Sequence, residues 1–129
     1  MCFVLEVVVV LERDVPKARA ALELPDVSPW RFSGEFPSWQ LVQGGCSCGL
    51  VRSGGQAIDL EPQVLRALLA DRNVKRLHLI WYWTDRPTDP PEVRLDIADF
   101  DTRNAHGDLA QDTCYRINDP SKYALTSRS

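Results

Sequence analysis

The sequence has little that marks a specialised surface. It carries 15 Lys and Arg against 18 Asp and Glu, a net charge of −3 over 129 residues. Without a basic excess, no nucleic-acid partner is expected, because phosphate backbones call for concentrated positive charge. No apolar run approaches the ~18–20 residues that cross a bilayer, so no membrane association is expected. There are only two histidines, His78 and His106, and neither has a partner at helical ligand spacing. Walker and dinucleotide patterns are absent, as are internal repeats, low-complexity tracts and linkers that would divide domains. What is there is ordinary for a globular chain: 44% hydrophobic and 26% charged residues. One domain over residues 1–129 is expected, large enough to fold without a metal or disulfide.

The apolar start, Cys2 to Leu11, imitates the core of a signal peptide. No Lys or Arg precedes it, Glu6 interrupts it, and Val7 to Val10 are β-branched, which favours a strand. A cytoplasmic location with reduced thiols is therefore expected.

Both sides of the segment Phe3–Leu11 are apolar, as in a strand central to its sheet. Asp14, Val15, Ala18 and Leu22 keep helical spacing until Pro25. Residues 25–38 interleave Pro25, Pro29, Gly34 and Pro37 with Trp30, Phe32 and Phe36, which reads as a loop pinned by its aromatics. Strands are expected at residues 39–43 and 49–52, with residues 44–48 turning between them. Asp59 and Pro62 open the clearest helix, with Val64, Leu65, Leu68 and Leu69 as its buried stripe and Asn73 as its terminator.

The strongest strand signal spans Val74 to Thr84. It sets Leu77, Leu79, Trp81 and Trp83 on one face and Arg76, His78, Ile80 and Tyr82 on the other. Residues 85–91 are irregular, and Val93, Leu95 and Ile97 alternate as a strand expected to pair antiparallel with residues 74–84. The tail from Asp99 is polar, with Cys114–Ile117 its one strand-like island. The order strand, helix, strand, strand, helix, strand, with one strand appended, is that of an α+β ferredoxin-like sandwich. Such a fold has a mixed or antiparallel sheet with two helices on one face. A smaller mixed sheet with the cysteine segment as loop is the alternative.

The densest local signal is Gly44-Gly45-Cys46-Ser47-Cys48-Gly49. Cysteines two apart point the same way in an extended chain, and two thiolates aimed at one point suit a metal such as Zn²⁺ or Cu(I). The candidate metal set is Cys46 and Cys48 with Cys2 and Cys114, the latter two to be brought in by the fold; zinc is the candidate cofactor. Against this stands plain packing, since reduced cysteine behaves as a small buried hydrophobe. A thiol-redox enzyme using Cys46 or Cys48 is a further alternative, weakened because no helix follows directly to lower the thiol pKa. The glycines also permit a backbone anion nest, though no Lys completes a P-loop. Cys2 as an N-terminal nucleophile lacks its supporting motif, because Phe3 follows where glycine is usual.

Met1-Cys2 before an apolar strand, Gly45-Cys46-Ser47-Cys48-Gly49, and a Leu-rich helix running into Leu79-Ile80-Trp81-Tyr82 resemble a group of small bacterial proteins of uncharacterised activity. The resemblance covers residues 1–83. It implies a bacterial origin and carries no activity. Those relatives often have His before the first loop cysteine, where this chain has Gly45.

Glu6 among valines and His78 on the long strand form a candidate carboxylate–imidazole pair on an open sheet face, with polar residues at the edge of a core as the simpler account. His106 is expected in an exposed loop. Trp39, Trp81 and Trp83 are expected in the core. The functional expectation is a small cytoplasmic binding or interaction protein with the cysteine loop as its edge. A toxin-neutralising or assembly partner without catalysis is a third alternative. An open face carrying Val4, Val8, Val10 and Ile80 would also call for a homodimer to cover it.

Overall fold

Two long β-rich segments, residues 3–11 and 74–83, set the frame. In the computed structural model, residues 3–11, 27–33, 36–41, 47–60, 62–72 and 74–120 are described. The strands are β1 (Phe3–Leu11), β2 (Val27–Ser33), β3 (Phe36–Leu41), β4 (Val51–Arg52), β5 (Ala57–Ile58), β6 (Val74–Trp83), β7 (Glu92–Asp96) and β8 (Cys114–Asn118). The helices are α1 (Pro62–Ala70) and α2 (Ile97–Ala105). Six strands form one sheet in the order β2-β3-β1-β6-β8-β7, and β4 and β5 make a separate two-stranded ribbon. The fold is α+β with a mixed sheet.

β1 is central, as its two apolar faces imply, pairing antiparallel with β3 on one side and β6 on the other. With β2 antiparallel to β3, the sub-sheet β2-β3-β1-β6 has the order and directions of a split βαβ sandwich. The helix expected from Asp14 to Leu22 lies outside the described residues.

One face of the sheet carries the main core. Leu5, Val7 and Val9 of β1, Leu77, Leu79 and Trp81 of β6, and Tyr115 and Ile117 of β8 pack with Leu65, Leu68 and Leu69 of α1 and Ile97 and Phe100 of α2. Each such side chain contributes about 1.5–3 kcal/mol through burial. Tyr115 stacks on Trp81 at 5.4 Å and meets Phe100 edge-on at 5.9 Å. α1 and α2 therefore share this face. Asn104 of α2 ties the ribbon to the core: its Oδ1 accepts from the Ile58 N–H at 2.8 Å and its Nδ2 donates to the Ile58 carbonyl at 2.9 Å.

Several expectations are corrected. Residues 25–38 do not form a loop throughout: β2 and β3 occupy Val27–Ser33 and Phe36–Leu41, so the strand expected at 39–43 begins earlier. Both prolines fall where a missing N–H is tolerated. Pro29 lies on edge strand β2 at an irregularity in register, and Pro37 lies outside the stretch of β3, Ser38–Gln40, that pairs with β1. The strand expected at 49–52 is a 3-10 turn, Cys48–Leu50, followed by the two residues of β4.

β7 does not pair with β6. β8 lies between them, antiparallel to β6 and parallel to β7. The parallel pair needs a crossover, and α2 supplies it. That helix was hidden in a polar stretch; Asp96 caps it, its carboxylate accepting from the Asp99 N–H at 2.7 Å. Trp83, expected in the core, is 48% exposed, with Phe3 packed edge-on against it.

On the second sheet face Val4, Val8, Val10, Ile80 and Tyr82 are buried within the single chain, so the apolar patch that would call for a homodimer is not exposed.

Candidate functional site

Three places on this frame hold polar side chains that could carry chemistry. The first is the cysteine loop. Ser47, fully buried, accepts the Leu5 N–H on its hydroxyl at 3.0 Å. In the same row, across the Leu5–Trp81 pair, the Asp112 N–H donates to the Trp81 carbonyl at 2.9 Å. Ser47 thus extends the ladder on the β3 side of β1, and Asp112 extends it on the β8 side of β6. Cys48 directly follows Ser47, and Cys114 opens β8. Cys48 is half-buried, Cys114 is buried, and both are free. Cys2 and Cys46 lie outside the described residues. Among the described residues, no three His, Cys, Asp or Glu side chains gather into a metal-binding group. Burial pushes the Cys114 thiol above its ordinary pKa, with Glu92 adding to the effect.

The second place is Glu6, at 0% exposure on the second face. Its Oε2 accepts from the Tyr82 hydroxyl at 3.2 Å and faces Arg86 Nε at 3.5 Å, while Oε1 has no hydrogen-bond partner. Glu6 sits opposite Ile80 and His78 sits opposite Val8, so the two share a face diagonally. They are not joined: Glu6 is held by Tyr82 and Arg86, and His78 by Arg76.

The third place is a basic cleft at the other end of that face. Because Leu77, Val93, Leu95, Tyr115 and Ile117 face the core, the residues between them face the opposite way. Register then places Arg116 of β8 beside His78 of β6 and beside Arg94 of β7. One two-residue step along, Arg76 and Asn118 complete the block. Arg76, Arg94, Arg116 and Asn118 line an open cleft of about 240 Å³.

The donors of this cleft are incompletely used. Arg116 donates to Glu92 Oε1 through one terminal nitrogen at 2.9 Å, but its Nε is buried with no acceptor. Arg94 is exposed and makes no ion pair among the described residues. Arg76 donates from Nε to His78 Nε2 at 3.0 Å, which places the ring proton on Nδ1 and leaves both terminal nitrogens of Arg76 outside that bond. Burial lowers the His78 pKa from 6.5 to about 4, reinforced by the charges of Arg76 and Arg116 and opposed by Glu92. The ring is neutral at pH 7 and acts as an acceptor. A cluster of this kind can hold an oxyanion by charge-assisted hydrogen bonds.

His106 caps the end of α2, where its Nδ1 donates to the Thr102 carbonyl at 2.8 Å. Arg94 and Arg116 were readable only as the polar sides of two short strands. What joins them is a parallel pairing between segments about twenty residues apart, and no local pattern announces it. Among the described residues, no helix is long and apolar enough to cross a membrane.

No family model matches the chain, and no curated protein or solved structure matches it either. The likeness to small bacterial proteins therefore rests on the quoted sequence motifs alone.

Proposed function

We propose that the chain is a binding protein whose site is the arginine cleft on the second sheet face, and that it takes a small anionic ligand. The observation that carries this reading is the gathering of three guanidinium groups, from β6, β7 and β8, around one open cleft in a chain of net charge −3. Like charges at neighbouring sheet positions oppose one another, and an acidic chain offers no general reason to concentrate them. A bound oxyanion offsets that repulsion by charge-assisted hydrogen bonds.

Thermal denaturation at low ionic strength tests it. Phosphate or sulfate at ten times its dissociation constant should stabilise the fold by about 1.4 kcal/mol. That corresponds to a rise of about 3–6 °C for a domain of this size. Chloride at matched ionic strength should not reproduce the rise, and Arg94→Ala should remove most of it. Equal effects of chloride, sulfate and phosphate would leave the cleft without a ligand.

A further inference from the structure

We propose that the ligand of the cleft is a phosphate monoester of a small hydroxylated molecule, a refinement that rests on the anion-binding reading above. The arrangement of the guanidinium groups selects the head group. Arg116 and Arg94 are direct neighbours across one strand spacing, whereas Arg76 is one strand over on the other side and one two-residue step along. The three bases therefore form a triangle rather than a line. A planar carboxylate presents two oxygens in one plane, but a phosphate monoester presents three oxygens around a tetrahedral centre and can meet all three groups at once.

Charge points the same way. Glu92 neutralises part of Arg116, and Asp96, beside Asn118 in register, is engaged at the start of α2. His78 contributes an acceptor to Arg76 rather than a charge, so it positions that guanidinium without adding to the field. Three guanidinium groups against these two carboxylates leave the cleft net positive, which favours an anion over a neutral ligand.

Size and lining describe the rest of the molecule. A phosphate group takes about two to three water volumes, roughly 60–90 Å³. That is less than half of the 240 Å³ cleft. Asn118 also lines the cleft, and its amide both donates and accepts, as a ligand hydroxyl requires.

Calorimetric titration of the full chain at about pH 7.5, where a monoester is mostly dianionic, distinguishes the outcomes. The probes are ribose 5-phosphate, inorganic phosphate, ribose, malonate and a short single-stranded oligoribonucleotide. Ribose 5-phosphate should bind tightest, inorganic phosphate several-fold more weakly and malonate at least tenfold more weakly, with ribose silent. Asn118→Ala should narrow the gap between ribose 5-phosphate and inorganic phosphate. Arg94→Ala, at an exposed position whose loss should not unfold the chain, should weaken both at least tenfold. Malonate or the oligonucleotide binding as tightly as ribose 5-phosphate overturns the monoester assignment and leaves an anion site. No binding by any anion, or binding indifferent to Arg94→Ala, overturns the cleft reading itself.

Discussion

Arg94 and Arg116 occupy directly opposed positions on the parallel pair of β7 and β8, two like charges side by side on one sheet face. Opposed like charges destabilise a sheet by a few tenths to about 1 kcal/mol. Arg94→Ala should therefore leave unliganded stability unchanged or raise it by up to about 1 kcal/mol at low salt. Urea denaturation with and without phosphate checks this, and a loss of more than about 1 kcal/mol without ligand would mean that Arg94 is structural.

His78 gives a pH dependence with a defined sign. Its folded pKa, about 4, lies below the ordinary 6.5, so between these values the unfolded chain binds the extra proton. This contribution is fully present above pH 6.5, declines as pH falls and levels off below about 4. His78→Gln keeps an acceptor for Arg76 without the titration, so wild type should lose stability relative to this variant across that window. An NMR titration of His78 with a midpoint near 6.5 would sink the claim.

Asn104→Ala removes both hydrogen bonds to Ile58 and leaves the N–H and carbonyl of a buried residue unpaired. A loss of about 2–4 kcal/mol is expected. Asn104→Asp retains the acceptor but not the donor and should cost less. Chemical denaturation of the two variants decides it, with equal losses counting against the paired geometry.

Cys114 should be a slow thiol. It is buried, and its pKa is raised by that burial. Alkylation by iodoacetamide at neutral pH, followed by peptide mass mapping, should label Cys114 more slowly than free cysteine; labelling at the free rate would contradict its placement on β8.

Arg86→Ala should expose the cost of the Glu6 carboxylate. Arg86 is about one-third exposed, so screening moderates the pair, and the loss expected is about 1–3 kcal/mol. Calorimetric melting measures it, and an unchanged melting temperature would show that Tyr82 alone suffices to hold Glu6.

How much of this was legible follows from which patterns are local. β1, β6 and α1 were readable because their apolar periods are long and uninterrupted, as in Phe3–Leu11 and Leu65-Leu68-Leu69. β2 was not, and β3 was readable only at Trp39–Leu41, because Pro29, Gly34 and Pro37 punctuate that stretch and their tolerance depends on which strand lies at an edge. α2 buries only Ile97 and Phe100, and Ile97 also continues the strand-like alternation of Val93 and Leu95. Its start is signalled by Asp96 alone.

At the sites, the glycines and cysteines drew attention while Ser47 between them makes the bond that ties the loop to β1. Glu6 and His78 share one face, but the candidate pair between them does not form, because partners across a sheet are fixed by register rather than by type. The cleft escaped for the same reason. Arg76, Arg94 and Arg116 are unremarkable singly and meet only after β8 inserts between β6 and β7.

That insertion also orders events in time. During synthesis β7 emerges before β8, and until residues 114–118 are available the outer edge of β6 is unpaired and β7 has no neighbour in the sheet. An exposed edge of this kind invites pairing with other chains. The cleft draws one guanidinium group from each of β6, β7 and β8, so it comes into existence only when β8 closes that edge. Any ligand of the cleft can be held only after the sheet is complete.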